Sequence, residues 1–396
     1  MPGLGPGGRR FESFHPDCET VAYLAAVSLF VIASRFETVP VGMKGFGDTF
    51  QKNSGIFGGM KREIYWVDGV RALCVILVYF AHSVAIGGFG IPLTAYRLYD
   101  FVYVNGFFFV SGYLLFGKQL SHPVIGSSAD EFRKGEGKKL LENVLFRIVI
   151  PAVIFSLIEY FPKRLIRGGG FDILSFVTET IGGGTYWFLS ALAVAELLLL
   201  LMLLTRIRTI WFYVGCSVIL AIAGMLIERS EFGVLDYDPT FPWKYKQGMV
   251  CLIYLAAGGL YQRYVGDRPM PAWLFIGLTC IYVAGCIWLP IGDMSVYYCS
   301  VQPSGFAWSI LGIVVLVELC RRLPKLKLIT FVGRNSILFY LMSGALPTVL
   351  TAAVSRFFSM NLLALSAIFI ISFAAACVLS RFIVRYMPFL KDLRGV

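Results

Sequence analysis

The stretch VDGVRALCVILVYFAHSVAI, residues 67–86, is a membrane span by length and apolarity, yet it contains Arg71 and His82. At 1.5 Å per residue such a helix covers the roughly 30 Å of a bilayer's hydrocarbon core. A charged group inside it costs a few kcal/mol even on the mildest insertion scale, so a retained charge points to function. The eleven-residue spacing comes to about 1100°, or three turns plus roughly 20°. Both side chains therefore share a face, about 16 Å apart along the axis, too far to hydrogen-bond each other. If they cooperate, it is on something long. Asp68, three residues before Arg71, lies on the adjacent turn and is placed to neutralise the guanidinium.

Around this stretch the composition is that of a polytopic membrane protein: 57% hydrophobic residues, 15% charged residues and a mean hydropathy of +0.73. Apolar runs predict an all-α bundle of about ten transmembrane helices, near 67–86, 98–117, 145–161, 186–204, 209–227, 247–263, 272–290, 305–320, 336–354 and 361–384. One membrane domain over 62–384 follows, with an N-terminal extension over 1–61 and a tail over 385–396. The segment Val21 to Ser34 is apolar but short, and reads as a short hydrophobic helix or as part of a poorly structured extension.

The net charge of +11 fits loops facing anionic lipid better than nucleic-acid binding, since no basic stripe is interleaved with exposed aromatics. Connections expected inside carry Lys138, Lys139, Arg206, Arg208, Arg321, Arg322, Lys325 and Lys327, and the outer ones hold fewer cations. This bias places both termini in the cytoplasm. The loop from Glu228 to Gln247 is then the largest outer connection. The nine cysteines fall mostly in apolar runs and form no C-x-x-C pair, so they read as small buried hydrophobes. With His15 and His122 outside the spans, no metal-ligand spacing appears, and no metal is expected.

Five blocks in order resemble the bacterial membrane acyltransferase family three. They are Trp66-Val67-Asp68-Gly69-Val70-Arg71-Ala72-Leu73 with His82, then Gly106 to Leu115, Arg147-Ile148-Val149-Ile150-Pro151, Tyr186-Trp187-Phe188-Leu189 and Gly333 to Leu341. The third is similar to the exopolysaccharide and enterobacterial acetyltransferase branches. Two positions depart from the pattern: Val144 stands where a further arginine is common, and Ser343 where many members have histidine.

The resemblance implies an inner-membrane O-acyltransferase. Its donor would be cytoplasmic acyl-CoA, typically acetyl-CoA, and its acceptor a hydroxyl of a cell-surface or exported glycan, or of a lipid-linked sugar. Such chemistry needs a base for the hydroxyl proton and a cationic partner for the donor. His82 is the candidate base or covalent acyl carrier, two roles the residues alone do not separate. Arg71, with Asp68 beside it to neutralise the guanidinium, is a further catalytic candidate, Arg71 and Arg147 are candidates for CoA phosphates or a pantetheine carbonyl, and Ser111 and Tyr113 are candidates for the donor cavity. Trp187, Phe188 and Glu196 are candidates for the acceptor. Each has a structural alternative: a histidine bonded between helices, an Arg71–Asp68 pair, a positive-inside arginine, belt aromatics, or close packing around Gly106 and Gly112. Glu159 and Glu318 are further intramembrane acids expected to face the bundle interior. A multi-span transporter or flippase is the competing class. The Arg71 and His82 pattern has no counterpart in the second half of the chain, and this disfavours it.

Overall fold

The computed structural model describes residues 64–88, 93–121, 135–166, 171–205, 207, 209–229, 243–291 and 294–391. The expected N-terminal extension, its Val21 to Ser34 segment, most of the loop between Glu228 and Gln247 and the last five residues lie outside them. The described chain is an all-α bundle. Its helices are α1 (Tyr65–Gly87), α2 (Leu93–Asp100), α3 (Asn105–Ser121), α4 (Glu136–Val144), a π turn (Leu145–Val149), α5 (Ile150–Ile166), α6 (Ile173–Thr180), α7 (Trp187–Leu204), α8 (Ile210–Arg229), α9 (Tyr245–Tyr264), α10 (Ala272–Trp288), α11 (Pro303–Arg322), α12 (Lys327–Arg334), α13 (Ser336–Met342), α14 (Ala345–Val354) and α15 (Leu362–Tyr386). A two-residue hairpin of β1 (Met294–Ser295) and β2 (Ser300–Val301) joins α10 to α11.

Among the described residues eight segments are long and apolar enough to cross a membrane. The other two expected spans are also helices. α10 is apolar but only 17 residues long, and α9, with Lys246, Gln247, Gln262 and Arg263, is more polar than the rest. α1 runs unbroken through Arg71 and His82 and stops where Gly88 takes φ 71°, a left-handed cap that glycine adopts without strain.

Against this straight helix two expected spans are interrupted, and proline explains both. Pro151 has no N–H for the carbonyl of Arg147 four residues back, and the chain widens into the π turn Leu145–Val149 that carries Arg147. Pro347 likewise withholds an N–H from Ser343, and the expected 336–354 span divides into α13 and α14 around Ser343 and Gly344.

The bundle centre is tight. A methyl group on Gly112 of α3 would collide with the Leu255 carbonyl of α9, and one on Gly258 with the Phe109 carbonyl, so the two backbones touch. Packing is therefore the observed role of the glycine beside Ser111 and Tyr113. At the end of the bundle nearer Arg71, the carboxylate of Glu318 on α11 accepts from Arg321 Nη1 at 2.7 Å, from Arg322 Nη1, from Tyr261 Oη at 3.2 Å and from the Met270 N–H at 3.1 Å. Arg321 also donates to the carbonyls of Arg268 and Gly266, and its guanidinium lies 5.0 Å from the Trp66 ring centroid. This knot ties the α9–α10 connection to α11 and α1, a structural task for an acid in a span.

Candidate active site

His82 sits near the C-terminal end of α1, and its Nδ1 lies 2.8 Å from the backbone carbonyl of Ser343. A carbonyl only accepts, so Nδ1 carries the proton and the neutral ring keeps its lone pair on Nε2. The partner exists because of sequence: Pro347 leaves the Ser343 carbonyl without its helical donor, and His82 supplies one. Nearby carbonyls are held similarly, Phe339 by Tyr79 Oη at 3.0 Å and Leu341 by Tyr186 Oη at 2.9 Å. Ser343, one of the two positions that depart from the resemblance, meets His82 through its main chain, while its hydroxyl donates to the Tyr340 carbonyl at 2.7 Å.

His82 lines a cavity of about 470 Å³, shared with Glu159 and Pro162 of α5, Tyr186, Trp187 and Tyr340. Trp187 is in the wall. Its neighbour Phe188 is only 3% exposed and packs on Phe107, Phe108 and Tyr340 at centroid distances of 5.2, 5.0 and 5.0 Å. Trp187 also meets Tyr297 of the β1–β2 turn edge-on, with ring centroids 5.2 Å apart. That turn is held by Gln247 Nε2, which donates to the Tyr297 carbonyl at 3.0 Å. It also contains Cys299, in left-handed backbone at φ 48° and 3% exposed. Burial pushes the Cys299 thiol up to about 12, so this cysteine is an inert packing group.

Toward the other end of α1, Arg71 lies in the electrostatic field of Asp68, Arg147 and Glu196, and Glu196 in that of both arginines. Asp68 in addition accepts from Arg334 Nε at 3.1 Å. This contact joins the Trp66 to Leu73 block to the Gly333 to Leu341 block, two stretches far apart in sequence. Three guanidiniums (Arg71, Arg147, Arg334) thus gather around two acids, Asp68 and Glu196. Glu196, an expected acceptor ligand, belongs to this cluster rather than to the wall around His82. Val144, at the place of the family's further arginine, is buried at 2% exposure, and Lys138 pairs with Glu142 at 3.9 Å on an exposed face.

The expected donor residues divide. Arg71 and Arg147 come together, whereas Tyr113 donates to Asp267 Oδ1 at 2.7 Å and packs edge-on against Trp66 at 4.7 Å, beside the Glu318 knot. Ser111 is half-buried on α3. Glu159, one of the intramembrane acids expected to face the bundle interior, lines the cavity with His82. The signal available for it was its place twelve residues after Arg147 on the same rod, matching the eleven from Arg71 to His82. Arg147 in the π turn and Glu159 on α5 follow one another along one rod, as Arg71 and His82 do along α1. Among the described residues no cluster of three His, Cys, Asp or Glu is placed to hold a metal ion.

Comparison with curated proteins and with solved structures returns no match. A family model described as an acyltransferase domain, Acyl_transf_3, matches residues 64–381, which takes in α1, with its arginine and histidine, and all but the last turn of α15. With most of the chain so matched, this membrane protein belongs to acyltransferase family three.

Proposed function

We propose that the chain transfers an acyl group, acetyl in the first instance, from acyl-CoA on the cytoplasmic side of the inner membrane to a hydroxyl of a cell-surface or exported glycan. The observation that carries this reading is the His82–Ser343 bond, which sets the ring so that the basic nitrogen is Nε2 in a residue lining a 470 Å³ cavity. In the reaction His82 Nε2 takes the acceptor's hydroxyl proton as the oxygen attacks the thioester carbonyl. The C–S bond breaks with its electron pair going to sulfur, and the imidazolium returns the proton to the CoA thiolate. A base role needs no covalent intermediate, and the single lone pair suits it.

The guanidiniums of Arg71 and Arg147 suit the phosphates or pantetheine carbonyls of the donor. Their distance from His82, about 16 Å along α1, matches an extended donor that presents its thioester deep in the membrane. The cations Arg321, Arg322, Lys325, Lys327 and Arg334 lie toward the Arg71 end and support placing that end, with both termini, in the cytoplasm.

The direct test compares mass and proton NMR spectra of surface glycans from cells with and without the chain. O-acyl signals that depend on the chain are expected, and an unchanged pattern at a verified membrane level sinks the reading. Arg71→Ala is expected to raise the KM for acetyl-CoA about 10-fold or more, the loss of a charge-assisted hydrogen bond, with the acceptor KM little changed. Steady-state rates at varied donor concentration check it.

A further inference from the structure

A second cavity, of about 480 Å³, lies at the end of the bundle nearer Arg71. Its polar wall comes from Tyr65 and Trp66 at the start of α1, Asp267 of the α9–α10 connection, Arg321 near the end of α11 and Lys325 just beyond it. Trp66 Nε1 and Arg321 Nε in this wall are buried N–H groups without a hydrogen-bond partner among the described residues. Trp66 is 6% exposed and the Arg321 side chain 4%, and the guanidinium lies over the indole ring, so the two donors are neighbours. The other nitrogens of Arg321 are engaged, Nη1 by Glu318 and the Arg268 carbonyl, Nη2 by the Gly266 carbonyl. The rest of the wall is fixed. Tyr65 Oη donates to the Pro324 carbonyl and accepts from the Leu326 N–H at 2.9 Å, which sets the turn carrying Lys325, and Asp267 accepts from Tyr113 at 2.7 Å. Buried donors left unpaired are costly, and two of them beside a lysine call for an anionic, acceptor-rich partner.

We infer that this cavity seats the headgroup phosphate of an anionic phospholipid from the leaflet at the Arg71 end, with Trp66 Nε1, Arg321 Nε and Lys325 Nζ as its donors. Three observations favour a lipid over a soluble phosphate. The wall stands where α1 begins and α11 ends, the depth of the headgroups, and basic pockets between spans at that level take anionic lipids. Ile64, Pro269, Leu323 and Pro324 make the remaining wall apolar, a surface for glycerol esters and first methylenes that a bare phosphate leaves uncovered. Trp66 also precedes Arg71 by five residues, a turn of roughly 140° about α1, so the cavity lies on another face of that helix than the arginines assigned to the donor. Asp267 is the acid in the wall, set against Arg321 and Lys325, while Glu318 outside it is shared by two arginines. The site therefore prefers an anion to a zwitterion with the same phosphate. This inference is independent of the acyl-transfer reading.

The test uses the full chain, purified in detergent, freed of native lipid and titrated with phosphatidylglycerol or phosphatidylcholine in mixed micelles, with binding read by native mass spectrometry. Phosphatidylglycerol is expected to bind about 10-fold or more tightly than phosphatidylcholine. Lys325→Gln is expected to weaken phosphatidylglycerol binding about 5- to 10-fold, and so is Trp66→Phe, which keeps an aromatic ring and removes the N–H. Lys327→Gln, at an exposed lysine of α12 outside the wall, is expected to leave it within about 2-fold. Lys325 is exposed, so its variant serves if the Trp66 form does not fold. An equal loss from Lys327→Gln would show general attraction to a basic surface, and equal binding of the two lipids would show no preference for an anion. Displacement of phosphatidylglycerol by free coenzyme A would make the cavity a nucleotide site. Each of these results overturns the inference, and none of them depends on whether acyl transfer is found.

Discussion

Replacement of His82 by alanine is expected to lower acyl transfer by about 10²- to 10⁴-fold, the worth of a positioned general base, while the chain still reaches the membrane. The imidazole is the group that combines a cavity-lining position with a tautomer set by a main-chain carbonyl. Loss of its Nδ1 bond leaves Ser343 O short of a donor, a cost of about 1–3 kcal/mol that a folded bundle survives. His82→Asn separates the two tasks, because its amide N–H₂ can replace the donor but cannot serve as the base. Transfer rates normalised to membrane protein check both variants, and activity above a tenth of wild type in either contradicts the assignment. Pro347→Ala probes the same bond from the other side. It restores an N–H that competes for the Ser343 carbonyl and loosens the ring, with an expected loss of about 10-fold in transfer and no loss of stability. An unchanged rate would show that the carbonyl does not control the ring.

Glu318→Ala is expected to destabilise the folded chain by about 3–5 kcal/mol, because it leaves buried cations without their counter-charge. The Arg321 side chain is 4% exposed and that of Glu318 1%, while Arg322 at 29% has partial access to solvent. The loss also frees the N–H of Met270 and the hydroxyl of Tyr261, so four donors are affected at once. Glu318→Gln retains acceptor capacity without the charge and should fall between. Unfolding midpoints in detergent measure the effect, and a change under about 1 kcal/mol for the alanine form would show that the knot contributes little.

Sequence patterns reached far in this chain because hydrocarbon imposes a simple rule: every backbone polar group must be satisfied within a helix, so apolar length reads directly as a span. The spans near Val67 to Ile86 and Leu362 to Tyr386 are of this kind. Shared-face geometry was equally direct for Arg71 and His82, since α1 is regular across both. What periodicity missed lies where the ladder is broken. The run over 336–354 looks continuous by hydropathy, although Ser343-Gly344 and Pro347 divide it, and the π turn before Pro151 changes which way α5 faces beyond Arg147. Glu159 and Glu196 show the consequence. Both are acids in apolar runs, but only helix rotation and neighbours decide that Glu159 joins His82 and Glu196 joins the arginines.

By itself the sequence determined that this is a multi-span helical membrane protein, that one span carries an arginine and a histidine on a common face, and that five ordered blocks resemble family three. These are local properties, set by apolar length, by 3.6-residue periodicity and by residue order. Only the tertiary structure decided which carbonyl holds His82, which acid shares its cavity, and that Asp68 meets Arg334 across two distant blocks. Those are contacts between helices. They depend on proline-broken ladders and on how each rod is rotated about its axis, and hydropathy along a single chain does not encode either.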